Sequence, residues 1–253
     1  MIVIDSVAEF VRYRNSISEL SLGFVPTMGA LHEGHAALLE ASLQQNVLTC
    51  LSIYVNETQF NNPEDLAKYP GRREQDLALA ESLGVDVVFK PSYADMYPDD
   101  YRYQLDEHDF SRTLCGAHRP GHFTGVLTVV MKLLNIVKPS KAYFGEKDCQ
   151  QLKLIEGMVE AFFLDVDIIA VPTKREADGL AMSSRNLNLT PENRLIAPEL
   201  NAALASSLDD DQIKTALTER GFDVDYLETI GERRFAAASL GDVRLIDNVV
   251  VQQ

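Results

Sequence analysis

The sequence predicts an α/β protein, with a doubly wound parallel sheet followed by a smaller C-terminal α+β domain. Short apolar segments such as residues 22–27 and 47–55 alternate with segments of helical periodicity over most of the chain. Such alternation is typical of a mostly parallel sheet with helices on both faces. After about residue 174 the alternation stops, so we predict one domain over residues 1–174 and a second over residues 175–253.

The first elements form a predicted strand–helix–strand unit. Asp5 can cap a helix over residues 7–15, and LGFVPT at 22–27 has the apolar character of a buried strand. Residues 35–46 have helical periodicity, and the mostly apolar residues 47–55 predict the next strand. The turn TMGALHEGH therefore lies at the first crossing from strand to helix.

The alternation continues beyond a polar loop at residues 56–71, which contains Gly and Pro. Periodicity then predicts helices over residues 73–83, 125–139 and 148–163, and strands over residues 85–91, 141–145 and 166–173. In the second domain it predicts helices over residues 191–208 and 211–221, and strands over residues 222–230 and 243–252. The acidic run that begins at Asp209 is predicted to cap the second of these helices.

The charge balance argues against a polyanionic partner. The chain has 38 acidic and 23 basic residues, a formal net charge of -15, and no long run of lysine or arginine. Such a field repels nucleic acid, whereas a small anionic substrate needs only a few local cations. We therefore expect small-molecule substrates and no nucleic-acid partner.

The cysteines and the hydropathy pattern bear on the cellular compartment. Cys50, Cys115 and Cys149 are widely spaced and form neither a disulfide framework nor a CxxC metal pattern. No segment approaches the ~18 apolar residues of a membrane span. We therefore predict reduced thiols, no membrane partner and a cytoplasmic location.

Two of the five histidines, His32 and His35, stand at the predicted start of the first helix of the βαβ unit. A helix N-terminus beyond the carboxyl ends of parallel strands offers unpaired N–H groups to a phosphate. Gly29 and Gly34 would let that phosphate approach the backbone. The histidines are therefore candidate donors to a polyphosphate leaving group. The alternative is that both histidines only cap the helix and pack locally.

Three other segments carry polar side chains that suit the same crevice. YVNETQF places Asn56 and Gln59 just after a strand, where neutral amides can hold a carboxylate or a hydroxyl group. YFGEKDCQQ places Lys147 at another helix N-terminus and Gln151 one turn into that helix. ADGLAMSSRN supplies a cationic, hydroxyl-rich loop at the predicted domain boundary. Taken singly, each segment is equally consistent with loop caps and surface turns.

A further loop, RPGHFTG, places Arg119 and His122 beside glycines before a helix. The sequence leaves two interpretations open for this loop. It is either a lid over the site or a plain entry into the helix.

In this order the segments resemble the pantothenate synthetases, a family of ligases within the HIGH-motif nucleotidyltransferase superfamily. The matching motifs are PTMGALHEGH, VNETQF, EDLAKYP, RPGHFTGVLTVVMKLLNIVKP, AYFGEKDCQQL and PTKREADGLAMSSRN. They span about residues 22–190. Together they are far more specific than HxGH alone, which cytidylyltransferases and class I aminoacyl-tRNA synthetases share.

The resemblance implies a Rossmann-like nucleotide domain, a C-terminal lid and a homodimer. It also implies a reaction in two steps that needs Mg²⁺ with ATP, the ion being held mainly by the ATP phosphates. The carboxylate of pantoate would attack the α-phosphate and release pyrophosphate. The amine of β-alanine would then attack pantoyl adenylate, which gives pantothenate and AMP.

Carried over motif by motif, the resemblance implies roles for individual residues. The residues that would stabilise charge on the phosphates are His32, His35, Lys147, Ser183 and Arg185. The pantoate pocket would comprise Met28, Asn56, Gln59, Tyr69 and Gln151. ATP would be bound by Pro26, Thr27, Met28, His35, Gly145, Lys147, Asp148, Lys174, Met182, Ser183, Ser184 and Arg185.

Four positions depart from the usual pattern of the family. Glu57 stands where proline is usual, and Gly71, followed by Arg72, stands where arginine is usual. Lys174 replaces a commonly aliphatic residue, and Cys149 replaces a common tyrosine. None of them removes a residue assigned to phosphate or pantoate.

Two other functions stay open at this level. A related nucleotidyltransferase would activate a phosphorylated head group with CTP and make no AMP, although Gln59 and Gln151 suit a small hydroxy acid better. A non-catalytic nucleotide-binding homologue would keep the fold, and the presence of His32, His35 and Lys147 argues against it.

Overall fold

A computed structural model describes residues 1–61, 66, 67, 69 and 71–251. The strands of its main sheet are β1 (Ile2–Ile4), β2 (Leu22–Thr27), β3 (Leu48–Ile53), β4 (Val87–Phe89), β5 (Lys141–Gly145) and β6 (Asp167–Val171). All six are parallel and lie in the order β1-β4-β3-β2-β5-β6. The predicted doubly wound sheet is confirmed, and its strand order reverses between β2 and β5.

Helices cover both faces of this sheet. They are α1 (Val7–Ser16), α2 (Glu33–Gln45), α3 (Arg73–Leu83), α4 (Tyr93–Met96), α5 (Leu114–His118), α6 (His122–Val137) and α7 (Cys149–Ala161). Alternate strand residues point to opposite cores: Phe24 packs in the core beneath α1, α6 and α7, and Val25 in the core beneath α2 and α3. Of the helices that the structure describes, none has the length and apolar character needed to cross a membrane.

The C-terminal part contains α8 (Pro191–Ile196), α9 (Glu199–Leu204), α10 (Asp210–Glu219), β7 (Asp223–Ile230), β8 (Arg233–Leu240) and β9 (Val243–Val250). The strands form an antiparallel sheet in the order β7-β8-β9. One face of this sheet packs with α9 and α10, and Phe235 and Ala237 on the other face join the main core. The small antiparallel sheet therefore packs directly against the main core.

The central strand β8 was not predicted. Ala236, Ala237 and Ala238 are each fully buried, so the two faces of the strand carry the same kind of side chain. A strand buried on both faces lacks the apolar and polar alternation that marks a half-exposed strand. Strand β1 was missed because it is only three residues long and lies at the edge of the sheet.

Two local predictions were wrong. Ser6, not Asp5, caps α1: its side chain accepts from the backbone N–H of Glu9, and Asp5 pairs with Lys90 instead. The helix predicted over residues 191–208 is two short helices with Pro198 between them, because proline lacks the N–H that a continuous helix requires. The predicted loop over residues 56–71 includes residues 62–65, 68 and 70, and the last predicted strand includes residue 252, all outside the described residues.

Gly23 of β2 tests how closely α2 approaches the sheet. A Cβ atom at this position would collide with Ser42 Oγ and the side-chain amide of Asn46 on α2 and its C-cap. We expect Gly23→Ala to lower the free energy of unfolding by about 1–3 kcal/mol, the usual cost of overpacking. Urea denaturation measures this change.

The matched control for this variant is Gly157→Ala. Gly157 lies in α7, and a Cβ there meets no neighbouring atom within 4 Å. Alanine should stabilise this helix by about 0.5–1 kcal/mol. Equal unfolding midpoints for the two variants would contradict the close packing of α2 on β2.

Candidate active site

The predicted site residues meet in one crevice at the carboxyl ends of β2 and β5, where the strand order reverses. The cavity has a volume of about 260 Å³. All of the candidates line it: Pro26, Thr27, Met28, His32, His35, Asn56, Gln59, Tyr69, Gly145, Lys147, Asp148, Gln151, Lys174, Met182, Ser183, Ser184 and Arg185. Ligands bind at such a reversal because the two neighbouring connections leave in opposite directions.

The turn between β2 and α2 is held from below by a carboxylate. Gly29 has φ 83° and Ala30 has φ 52°, so two successive residues adopt the left-handed region. The backbone N–H groups of Ala30 and Leu31 donate to the two oxygens of Asp76, at 2.8 and 2.7 Å. Asp76 is 3% exposed and lies in the first turn of α3. This ion–dipole contact fixes a strained turn that precedes the histidines.

Sequence reasoning missed Asp76. An acidic residue in the first turn of a helix is favoured by the helix dipole alone. The segment REQD therefore contains no signal that one of its carboxylates binds a turn more than forty residues earlier in the chain.

The rings of the two histidines contact each other at the N-terminus of α2, with centroids 4.1 Å apart and their planes tilted by 40°. Gly34 N–H donates to His32 Nδ1 at 3.1 Å, and His32 N–H donates to His35 Nδ1 at 3.3 Å. Because each Nδ1 accepts from a backbone N–H, a neutral ring must carry its proton on Nε2. Each histidine can therefore present an Nε2–H donor to a ligand.

Burial keeps these imidazoles neutral. Desolvation, reinforced by Lys147, lowers the pKa of His32, and desolvation together with His32 lowers the pKa of His35 to about 3. The histidines do cap the helix, as the alternative interpretation expected, because they form a reciprocal capping box. The same bonds fix the tautomer in which each Nε2 is a donor.

The amide of Asn56 is held by the protein. Its Nδ2 donates to Gln59 Oε1 at 3.1 Å and to Gly125 O at 3.2 Å, and its Oδ1 accepts from Tyr97 OH at 2.8 Å. With 1% exposure, Asn56 is the buried support of Gln59. Gln59 Nε2 in turn lies 3.0 Å from the sulfur of Met28.

The loop with Arg119 and His122 supports the same turn from the other side. His122 Nδ1 donates to Gln59 O at 2.8 Å, while its Nε2 accepts from Arg119 Nη1 at 3.1 Å. Burial and then the guanidinium of Arg119 lower the pKa of His122 to about 3. Both side chains also line the cavity. Of the two interpretations, the structure favours an entry into α6 that is packed on the turn Glu57–Gln59.

The close packing of α6 against the turn Glu57–Gln59 depends on Gly125, which lies in α6. A Cβ there would lie 2.5 Å from Thr58 O and 2.8 Å from Gln59 Cα. Any larger residue would therefore push the turn Glu57–Gln59 away from the helix.

The cationic side of the cavity comes from two separate segments. Lys147 lies in the 3-10 turn Glu146–Asp148 that links β5 to α7, with its Nζ 3.8 Å from Asp148 Oδ2. Opposite, Ser183 caps the 3-10 turn Ser184–Asn188, its Oγ accepting from Arg185 N–H at 3.2 Å. The two segments are therefore brought together only by the fold.

Tyr69 links the turn between β2 and α2 to the segment that contains Ser184. Its hydroxyl donates to Gly29 O at 3.4 Å and also bonds the side chain of Ser184. Burial raises the pKa of Tyr69 to about 12, so the phenol keeps its proton.

Of the four departures from the family pattern, one lines the cavity. This is Lys174, which adds a cation beside Met182. Glu57 is exposed on its turn, Cys149 is buried in the main core, and Gly71 is exposed at the start of α3. The positions other than Lys174 therefore leave the lining of the cavity unchanged.

The depressed pKa values of His35 and His122 predict acid lability. Both groups have a pKa near 6.5 in an unfolded chain and about 3 in the fold. Between these values the unfolded chain binds more protons, so the free energy of unfolding falls as pH drops from about 6.5 toward 3. Each group should contribute a slope of about 1.4 kcal/mol per pH unit within this window.

His122→Asn tests this pH dependence, because asparagine can still donate to Gln59 O and does not titrate. The slope of stability against pH, measured by urea denaturation from pH 7 to 4, should fall by about 1.4 kcal/mol per pH unit. An identical slope in the parent chain and the variant would contradict the burial of a neutral His122.

Comparison with known proteins places the chain in a family. The family model described as pantoate-beta-alanine ligase matches residues 2–250. The pantothenate synthetase of Bdellovibrio bacteriovorus is 57% identical over 98% of this chain and 99% of its own length. That of Legionella pneumophila strain Lens is 50% identical over 99% of this chain and 100% of its own length.

Solved structures agree with these relatives. The pantoate-beta-alanine ligase of Francisella tularensis, complexed with beta-gamma ATP and beta-alanine, superposes with a TM-score of 0.93 at 43% identity. The match covers 99% of this chain and 97% of that one. The pantothenate synthetase of Thermus thermophilus superposes with a TM-score of 0.91 at 38% identity, over 100% of both chains. Together with the geometry of the crevice, these similarities show that the chain belongs to the pantoate–β-alanine ligase family.

Proposed function

We propose that this chain condenses pantoate with β-alanine at the crevice, using ATP and releasing AMP and pyrophosphate. As a member of its family the chain is a carbon–nitrogen ligase of pantothenate biosynthesis. One observation carries the assignment of the reaction to this crevice. A single cavity joins a cationic side, suited to phosphates, to an apolar side that also presents glutamine amides.

The apolar side suits pantoate. Pantoate is a small hydroxy acid whose third carbon carries two methyl groups, so it needs both apolar contact and polar partners. Val126, Val130 and Leu133 of α6 form an apolar wall, and the amides of Gln59 and Gln151 line the same cavity. Neutral amides can hold the hydroxyl and carboxylate groups without lowering the nucleophilicity of the carboxylate as a cation would.

The cationic side suits the triphosphate of ATP. In the first step an oxygen of the pantoate carboxylate forms a bond to the α-phosphorus, and the bond from that phosphorus to the bridging oxygen breaks. Negative charge then grows on the departing pyrophosphate. The Nε2–H groups of His32 and His35, the ammonium of Lys147 and the segment with Ser183 and Arg185 would stabilise it.

Neutral histidines suit this role. A hydrogen bond from a buried, preorganised donor strengthens as charge develops, and no proton has to be transferred to the leaving group. Because the backbone already fixes both rings, little reorganisation is needed in the transition state.

In the second step the amine of β-alanine attacks the acyl carbon of pantoyl adenylate. The carbon–nitrogen bond forms, the acyl–oxygen bond to AMP breaks, and the amine loses a proton. This step needs alignment and the exclusion of water, because an acyl adenylate hydrolyses readily. The Francisella tularensis relative complexed with beta-alanine supports this choice of acceptor.

The donor set of the cavity fits Mg²⁺ only as part of Mg-ATP. Among the described residues there is no cluster of three His, Cys, Asp or Glu side chains that could hold a metal ion. Asp148 is the half-exposed carboxylate beside Lys147, and it is the residue that would contact an ion held mainly by phosphates. The ion would supply charge neutralisation on the triphosphate.

We also propose the two-domain division at about residue 174, with the small domain as a lid. Its support is the separate core formed by α9, α10 and one face of the small sheet. The segment with Ser183 and Arg185 lies just beyond the division and lines the cavity. A homodimer is part of this proposal through the family resemblance alone, and a cytoplasmic location is part of it through the widely spaced cysteines and the hydropathy of the sequence.

Product analysis tests the function. Mass spectrometry of mixtures with Mg-ATP, pantoate and β-alanine should show pantothenate and AMP in equal amounts, and none when pantoate is omitted. AMP without pantothenate would mean a different acceptor. Activity with CTP but no AMP would favour a nucleotidyltransferase, and no turnover at all would favour a non-catalytic homologue.

Lys147→Ala tests the charge-stabilising role. We expect a loss of about 2–4 kcal/mol of transition-state stabilisation in pyrophosphate release, the scale for removing one such donor. Lys153→Ala, at an exposed position of the following helix α7, is the matched control and should retain full activity. An unchanged rate of pyrophosphate release in Lys147→Ala would remove this lysine from the mechanism.

A further inference from the structure

The last strand, β9, carries two adjacent polar side chains that are almost completely buried. Asp247 and Asn248 are each 4% exposed. Among the described residues neither lines the 260 Å³ cavity, but both line an adjoining cavity that shares Lys147, Ser183 and Arg185 with it. Asn248 bonds to the backbone of Glu146 and Lys147, and Asp247 bonds to the side chain of Arg175. Buried polar groups of this kind need partners, so their geometry is tightly constrained.

Asn248 holds the turn with Lys147. Its Nδ2 donates to Glu146 O at 2.9 Å and to Lys147 O at 3.0 Å, so both amide hydrogens are used on two successive carbonyls. Its Oδ1 accepts from Arg233 on the neighbouring strand β8, which fixes the orientation of the amide. The position of the lysine backbone is therefore set by the small sheet and not only by β5.

Asp247 holds the segment that leads to Ser183. Arg175 donates to both oxygens of Asp247, at 2.7 and 2.9 Å, and also to Gly179 O at 3.1 Å. Residues 174–182 fold back on themselves, with Arg175 bridged to Ala181. The ion pair with Asp247 fixes the position of Arg175. Because Arg175 is bridged to Ala181, the ion pair also fixes the position of residues 183–185, which follow directly.

We propose that Asp247 and Asn248 are positioning residues that set the spacing between Lys147 and residues 183–185. Adjacent residues on one strand thereby control both cationic segments of the phosphate site. The small domain then positions the phosphate-binding segments through these two side chains and does not act only as a lid. The inference rests on the proposed function, since it assigns these segments to the triphosphate.

A structural role alone would produce a different pattern of effects. It would lower the free energy of unfolding and impair kcat and the KM for pantoate together. A positioning role acts on the step that the phosphate contacts stabilise, because small displacements of catalytic groups cost rate more than binding. Pantoate, which meets Gln59 and the α6 wall, should bind as before.

Asn248→Ala in the full-length chain tests the first contact. We expect kcat for pyrophosphate release to fall about 10- to 100-fold, with the KM for pantoate within about twofold of the parent value. In a Lys147→Ala background the same change should cost less than about threefold, because residues that act through one another are not additive. A loss of equal size in both backgrounds would overturn the proposal, as would normal kcat in Asn248→Ala.

Asp247→Asn provides the second variant, which keeps the volume of the side chain and removes the charge opposite Arg175. We again expect a lower kcat for pyrophosphate release with an unchanged KM for pantoate. The loss of kcat should persist in the Lys147→Ala background, because Asp247 acts through residues 183–185 and not through Lys147. A fully active Asp247→Asn protein would overturn its part of the proposal, even if Asn248→Ala does not fold.

Asp210→Asn is the matched control. Asp210 accepts from Arg234 Nε at 2.8 Å, so it also pairs with an arginine of the small sheet, but it lines no part of the cavity among the described residues. It should lower the thermal unfolding temperature and leave kcat unchanged. If the parent chain makes no pantothenate, the proposed function fails. If it does, and Asn248→Ala and Asp247→Asn both match it in kcat, only the positioning role fails.

Discussion

The reversal of strand order between β2 and β5 is the constraint on which the rest of the site depends. Because the connections after these two strands leave toward opposite faces, a crevice opens at their carboxyl ends. The N-termini of α2 and α7 meet there, which brings His32 and His35 to face Lys147. No local interaction within either segment would create this encounter.

Burial then decides the chemistry of the groups in the crevice. Desolvation favours the neutral imidazole, and backbone N–H groups occupy each Nδ1, so the two rings become paired hydrogen-bond donors. Positive charge is supplied separately, by Lys147 and Arg185 on two segments that are distant in the sequence. This division lets the site hold a polyanion without requiring buried imidazolium groups, which are costly in a low dielectric.

The residues that contact ligand in our proposal are supported by others that do not. Asp76 fixes the turn before the histidines, Asn56 and His122 fix Gln59, and Asn248 fixes the turn with Lys147. Each support comes from a part of the chain remote from the residue it holds, or is buried beneath it. Preorganisation of this kind lowers the reorganisation needed as charge develops.

The sequence by itself determined the parallel sheet, the approximate positions of the longer helices and the motifs of the crevice, although it did not predict the short helices α4 and α5. Strands 22–27 and 141–145 have the predicted bounds, because uninterrupted apolar runs and glycine turns are local signals. Only the tertiary structure showed three features: the buried central strand β8, the hydrogen bonds of Asp76 to the turn between β2 and α2, and the contacts of Asp247 and Asn248. These features depend on contacts between residues that are distant in the sequence. A carboxylate or amide that hydrogen-bonds to a distant backbone group has the same neighbours in the sequence as one that faces water.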